Sequence, residues 1–207
     1  MKLLILGAAG KTGRERVKQG LERGYEVVAF IRREEQLEAA DKLRIIVGDA
    51  QDPAAVMAAF AGCDAVVSAL GYTSLAASDP LTIATKAIIE ILPPTGRFIS
   101  LTGYGVHDEH DPKLPLTGRL MNQIIRLVPG HMFADGENHA RVLRASQANW
   151  TLIRASRLAM GRGTGHYELG YFPLGAEVSI PRADVAMAML DCLTGDQWLR
   201  QAPMIRS

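Results

Sequence analysis

Residues 1–13, MKLLILGAAGKTG, set an apolar run from Leu3 to Leu6 directly against glycines at 7, 10 and 13, and a polar, helix-forming segment follows from Arg14. A buried strand that passes through a glycine turn into a helix is the opening of a βαβ unit. Gly7 permits the tight bend, Gly10 lets backbone approach an anion, and Gly13 lets helix and strand pack closely. The free N–H groups and the dipole at the start of the helix then face that anion. The stretch predicts a pyrophosphate cradle, and with it a dinucleotide-binding protein.

The spacing is GxxGxxG rather than GxGxxG, so the triplet is weighed with its context. Val27–Ile31 reads as a second strand, with turn residues Arg23, Gly24 and Tyr25 before it. A nucleoside-triphosphate loop is the rival, because Gly10-Lys11-Thr12 matches the end of GxxxxGK[ST]. That motif needs glycine where this chain has Ile5, and Gly7 stands only three residues before Gly10, too close to wrap a β-phosphate.

The 207 residues fit one domain, enough to bury roughly 70% of the unfolded surface. A net charge of +1 and the lack of a basic block argue against a nucleic-acid partner. Cys63 and Cys192 lie in the apolar contexts GCDAVV and AMLDCL and are expected to be buried free thiols, which suits a reducing compartment. The apolar start is too short for a signal peptide, and no segment approaches a membrane span. A cytoplasmic protein, monomer or homodimer, is expected.

Strand and helix signals alternate along the chain, which predicts a single α/β domain over 1–207 with a doubly wound, mainly parallel sheet flanked by helices. After the first strand, Gly13, Val17 and Leu21 recur at helical spacing up to a Gly24 cap. Strands are expected at Val27–Ile31, Leu43–Val47, Ala65–Ala69, Arg97–Thr102 and Trp150–Arg154. Asp52-Pro53 and Asp79-Pro80 each start a helix, the first ended by Gly62 and the second by Pro93-Pro94. Asp135 is read as the cap of a helix through Ala148. The stretch 155–175 is expected to be irregular, with a short strand near Glu177–Ile180, a helix carrying Val185, Met189 and Cys192, and a last strand at Ala202–Ile205.

Arg32 and Arg33 follow the second strand, where an acid would bind the 2′-OH of NAD and an arginine the 2′-phosphate of NADP. With the upstream glycines, this favours NADP(H). Asp49 and Ala50 follow the third strand, where a carboxylate can meet the adenine amino group. Ala69, Leu70 and Gly71 end the fourth, where small residues let the chain pass close to a cofactor.

Taken in order, GAAGKTG at 7–13, IRR at 31–33, GD at 48–49, SALG at 68–71, SLTGYG at 100–105, WTLIRAS at 150–156 and IPRADVAMAML at 180–190 resemble the atypical short-chain dehydrogenase/reductases. Within that group the pattern is most similar to the NmrA-like, NAD(P)H-binding proteins that include biliverdin-IXβ/flavin reductases. The resemblance implies a Rossmann-like fold and NADP(H) held by Gly7, Gly10, Thr12, Gly13 and Arg32, with Ala9, Lys11 and Arg33 beside them. It implies Asp49 and Ala50 on the adenine side, and Ala69, Leu70, Gly71, Thr102, Ala155 and Arg157 toward the nicotinamide.

The departures are equally specific. Tyr25, Tyr72, Tyr104, Tyr167 and Tyr171 are followed four residues later by Ala, Ala, Asp, Tyr and Gly, so the Tyr-xxx-Lys pair that protonates carbonyl substrates is absent. Gly103 stands where flavin reductases carry a serine, and Arg157 where they carry a histidine. Thr102 and Tyr104 are left as candidate catalytic residues. His107-Asp108-Glu109-His110-Asp111 reads as a solvated polar loop, with no metal expected. His131, His139 and His166 read as surface or loop residues.

Two segments, near 103–134 and 155–175, are expected to flank the nicotinamide. Their Tyr104, Met121, Met132, Phe133, Tyr167, Tyr171 and Phe172 either line a pocket for a planar acceptor or pack a lid onto the sheet. Arg119, Arg126, Arg157 and Arg162 either hold an anionic group or face solvent. The resulting expectation is an NADPH-dependent oxidoreductase passing hydride to a small flavin- or quinone-like acceptor. The alternative is a non-catalytic NADP(H)-binding redox sensor.

Overall fold

The computed structural model describes residues 1–33, 37–38, 40–71, 79–113, 130–173 and 179–207, with backbone only for 130–132. The strands are β1 (Lys2–Leu6), β2 (Glu26–Ile31), β3 (Leu43–Val47), β4 (Ala65–Ser68), β5 (Arg97–Gly103) and β6 (Trp150–Ala155), then the short β7 (Arg157–Ala159), β8 (Glu168–Gly170), β9 (Ser179–Pro181) and β10 (Met204–Arg206). The helices are α1 (Lys11–Glu22), α2 (Pro53–Phe60), α3 (Pro80–Ile91), α4 (Gly130–Ala145) and α5 (Arg182–Asp191).

Side chains alternate across β1, and both of its faces are covered, so it reads as an unbroken apolar run. Leu4 and Leu6 pack with Val28, Phe30, Val66, Phe98 and Leu152 beneath α2, α3 and α4. Leu3 packs with Val67, Ile99, Val185 and Met189 under α5, and Ile5 packs with Val27, Ala29 and Val17 of α1. Each large aliphatic side chain buried this way contributes about 1.5–3 kcal/mol. The main sheet has the order β3-β2-β1-β4-β5-β6-β10-β8. Only β8 runs antiparallel to its neighbour in it, and β7 pairs with β9 in a separate ribbon. The chain leaves β1 for β2 and β3 on one side and then crosses to β4 on the other. The crevice of this doubly wound α/β domain therefore opens between the carboxyl ends of β1 and β4.

Asp52 caps α2 as its sequence promised, its Oδ1 accepting from the amides of Ala54 and Ala55 at 3.0 and 3.3 Å. Asp79 stands at the N-cap of α3 without a side-chain cap bond. That work is done by Asp135 on α4, whose carboxylate accepts from the Leu81 and Thr82 amides at 3.1 and 3.0 Å. Asp135 therefore does not start its own helix, which begins at Gly130 and ends at Ala145, short of Ala148. The 155–175 stretch is less irregular than its glycines suggested, since β7 and β8 lie within it. The last strand is shifted to Met204–Arg206, because Ala202 is buried against β6 and its carbonyl accepts from Arg154.

Candidate functional site

Among the glycines of the first turn, Gly7 and Gly13 are demanded by the fold and Gly10 is not. Gly7 has φ +71°, and a Cβ there would meet the Ala69 carbonyl oxygen at 2.9 Å. A Cβ on Gly13 would lie 2.1 Å from the Gly7 oxygen, so only glycine lets α1 rest on the end of β1. At Gly10 a Cβ would meet only that same oxygen, at 3.2 Å. Gly10 is the N-cap of α1, with no side-chain cap and no acid in the first turn. The amides of Lys11, Thr12 and Gly13 lie in that first turn, where no i−4 carbonyl exists. Lys11 is exposed, while Thr12 and Gly13 are buried. The turn thus presents a positive helix end toward the β1–β4 crevice, with nothing acidic of its own to answer it.

Arg32 and Arg33 are exposed beyond the end of β2. The Gly48 amide donates to the Ile31 carbonyl at 2.8 Å, which brings the end of β3 beside them. Asp49 is exposed, and its Oδ1 accepts from the Gln51 amide at 3.0 Å within its own turn. Ala50 packs inward with Phe30 and Val56. On the other side of the crevice Ala69 donates to Leu6 at 2.9 Å, Leu70 leans on the core, and Gly71 is exposed, with no described atom near its Cβ position.

Thr102, near the end of β5, is 9% exposed. Its neighbour on α4 is Gly136, where a Cβ would come within 3.2 Å of the Thr102 hydroxyl. At Gly136, α4 therefore packs backbone closely against this hydroxyl and leaves no room for a side chain there. The Tyr104 amide donates to Ala155 at 2.9 Å, joining the ends of β5 and β6. Phe133 lies against Gly105, 3.4 Å from its Cβ position. Ala155 is buried and Arg157 exposed. Between them the Ser156 hydroxyl is buried with no partner among the described residues. Sequence reading passed over Ser156, since a serine after a strand carries no signal by itself.

The structure separates the aromatic residues of the two segments. Tyr167 donates to Asp191 at 2.6 Å, and Asp191 pairs with Arg23 at 2.8 Å. Arg23 closes α1, about 18 Å of helix away from the glycine turn. Burial, then the hydrogen bond to Asp191, pushes the Tyr167 phenol far up, so it serves as a fixed donor there. A hollow of about 320 Å³ lined by Tyr167, Leu169, Cys192 and Trp198 belongs to this far end. Tyr171 accepts from the Ala202 amide and packs on Trp198. Phe172 lies under Arg206, whose guanidinium carbon is 4.0 Å from the ring centre. These three rings finish the sheet edge. Tyr104 and Phe133 lie by the carboxyl ends of β5 and β6. Tyr72, Met121, Arg119 and Arg126 lie outside the described residues.

The 107–111 stretch is solvated at His107, Glu109 and His110, as its sequence suggested, but its two aspartates turn inward. Asp108 is 5% exposed and accepts from His110 Nδ1 at 2.8 Å and Arg144 at 2.9 Å. Burial alone would raise its carboxyl, but hydrogen bonds from His110 and Arg144 leave it below the usual range. Asp111 is paired with the buried Arg154. The run of charged and polar residues signalled exposure, and the distant arginines that draw the two aspartates inward were not legible in the local pattern. Among the described residues no three metal-ligating groups converge.

His139 is likewise no surface residue. It is fully buried, with neither ring nitrogen partnered among the described residues. Burial, opposed by Asp135, pulls its pKa down to about 4. Cys63 and Cys192 are buried free thiols, as expected.

A doubly wound sheet with a glycine-lined helix start at its switch point defines the class of nucleotide-binding α/β proteins. The chain belongs to the NAD(P)H-binding family, whose model matches residues 7–196, in keeping with its resemblance to atypical short-chain dehydrogenase/reductases. It is 27% identical over 203 residues to YwnB of Bacillus subtilis, covering 92% of this chain and 91% of that one. Its fold is similar to that of ChuY, an anaerobillin reductase from Escherichia coli O157:H7, with TM-score 0.77, 21% identity, and 99% and 96% of the two chains covered. A short-chain dehydrogenase/reductase from Veillonella parvula, solved in complex with NADP, matches with TM-score 0.75 at 20% identity over 100% and 94% of the chains. No helix among the described residues is long and apolar enough to cross a membrane.

Proposed function

We propose that this protein is an NADPH-dependent oxidoreductase that delivers hydride to a small planar acceptor of the flavin or quinone kind. What carries the reading is the close packing of α4 on Thr102: a Cβ at Gly136 would lie 3.2 Å from both the Thr102 hydroxyl and Val106, so this position has no room for the proton donor that a ketone reductase needs. The neighbouring reductase and the NADP complex support the same class.

The residues at hand fit the cofactor. Gly10 leaves room at the start of α1 for a pyrophosphate, with the Lys11, Thr12 and Gly13 amides as donors. Arg32 and Arg33, exposed beyond β2, would meet a 2′-phosphate, and Ala69–Gly71 would let the chain pass beneath the nicotinamide ribose. When bound, NADPH supplies the hydride. The chain orients the acceptor between the Thr102–Gly105 turn, Phe133 and the Ala155–Arg157 corner, and shields it from bulk water. An acceptor that takes up two electrons as hydride needs one proton to be neutralised. Water, the Thr102 hydroxyl or the half-buried Tyr104 can provide it, so no strongly acidic side chain is required.

Anaerobic mixing of the NADPH-loaded protein with a flavin, a quinone and an aliphatic ketone tests this reading. Oxidation that is saturable in flavin or quinone and far slower with ketone is expected. Tight NADPH binding without turnover of any acceptor would overturn it in favour of the sensor. That second reading is favoured by the same close packing at Gly136.

A further inference from the structure

The strap from Tyr104 to Asp111 leaves the carboxyl edge of β5 at the candidate acceptor side, and buried charge fastens it. Arg154 on β6 is 0% exposed. Its Nε donates to the Ala202 carbonyl at 2.7 Å, and Nη1 to the Val106 carbonyl and Asp111 Oδ2, both at 2.8 Å. Nη2 donates to Asp111 Oδ1 at 2.5 Å. An outer clasp repeats the device: Arg144 on α4 donates to Asp108 at 2.9 Å and to the His107 carbonyl at 2.7 Å. Glu137 accepts from the His107 amide at 3.1 Å. The ring of Tyr171 covers the knot, 5.7 Å from the Arg154 guanidinium and 5.1 Å from the His110 ring.

A buried ion pair adds little stability over apolar side chains of the same volume. What a guanidinium and a carboxylate joined by two parallel bonds do provide is a single register. If the strap slipped by one residue, Arg154 would be buried without its partner, so the strap has one place to sit. Tyr104 is set by the same strand, because its amide bonds to Ala155, next to Arg154.

We infer that Arg154 and Asp111 are positioning residues for the acceptor. Through the strap they fix Tyr104 and the Gly105–Phe133 contact over the acceptor side, while touching neither acceptor nor cofactor. The acceptor part of this inference rests on the function proposed above.

The decisive variant replaces both charges with apolar groups, Arg154→Met with Asp111→Leu, so that no lone charge stays buried. Its thermal midpoint, NADPH affinity, acceptor KM and kcat, and amide exchange at Tyr104 and Val106 are compared with the unmutated protein. The expected result is a folded protein with unchanged NADPH affinity, faster exchange at both amides, and an acceptor KM raised about tenfold by misplacement. Should that pair fail to fold, Asp111→Glu keeps the charges but lengthens the tether, and the same exchange and KM changes are expected. Unchanged exchange and KM in a folded variant would overturn the inference. If the unmutated protein turns over no acceptor, the proposed function fails, and amide exchange alone still decides whether the pair holds the strap.

Discussion

Replacing His139 with leucine should make the protein less sensitive to acid without weakening it at neutral pH. The imidazole is fully buried on α4, and neither nitrogen has a partner among the described residues. Its pKa is pulled from 6.5 down to about 4, mainly by burial. A base whose pKa is lowered by folding binds its proton more tightly in the unfolded chain. Its contribution to stability is therefore complete above pH 6.5, is lost as pH falls toward 4, and changes little below that. Between pH 7 and pH 5 this one group removes about 2 kcal/mol. Leucine has no such term, and it also removes unmet polar groups, which cost about 1–3 kcal/mol when buried. Urea unfolding at pH 7 and pH 5 should show His139→Leu at least as stable as the parent at pH 7. At pH 5 its relative advantage should grow by about 2 kcal/mol. Equal pH dependence in the two proteins would refute the reasoning. So would a large loss at pH 7, which would mean the imidazole makes bonds that leucine cannot replace.

Gly13→Ala places a methyl group 2.1 Å from the Gly7 oxygen, against backbone that cannot turn aside. Calorimetry should show a loss of about 3 kcal/mol, at the upper end for overpacking, together with weakened cofactor binding. Asp135→Ala strips the cap from α3 and strands the Leu81 and Thr82 amides. A loss of about 2 kcal/mol is expected in denaturant unfolding, and Asp135→Asn, which keeps an acceptor oxygen, should lose clearly less. Arg32→Ala should weaken NADPH by about 1.5–3 kcal/mol in a fluorescence titration and leave NADH nearly unchanged. Equal affinities for the two cofactors in the unmutated protein would remove the case for NADP(H).

Where the sequence carried a local signal, the fold could be read from it. Leu3–Leu6 is buried on both faces, and its unbroken apolar run announced a central parallel strand. Asp52-Pro53 announced a capped helix start because the cap and its amides lie within three residues. Gly7 and Gly13 were legible for the same reason, since their constraints come from the turn itself and the adjoining β4 end. What escaped reading depends on distant partners. Asp135 caps a helix more than fifty positions earlier in the chain, and the two aspartates of 108–111 are drawn inward by Arg144 and Arg154. Tyr167, Tyr171 and Phe172 gave the aromatic composition of a pocket, yet the antiparallel β8 carries them to the sheet edge. Ser156 and His139 carried no pattern at all, and what makes them notable is that their buried polar atoms have no partner among the described residues.

The central claim is that hydride passes from NADPH, held at the crevice between β1 and β4, to a planar acceptor at the neighbouring ends of β5 and β6. NADPH deuterated at nicotinamide C4, mixed anaerobically with the protein and a flavin or quinone, tests it most directly. The account predicts oxidation with a primary isotope effect on one face of the ring only, abolished when Gly10→Val fills the pyrophosphate space in a protein that still folds. Tight NADPH binding with no deuterium leaving C4, whatever the acceptor, would contradict it.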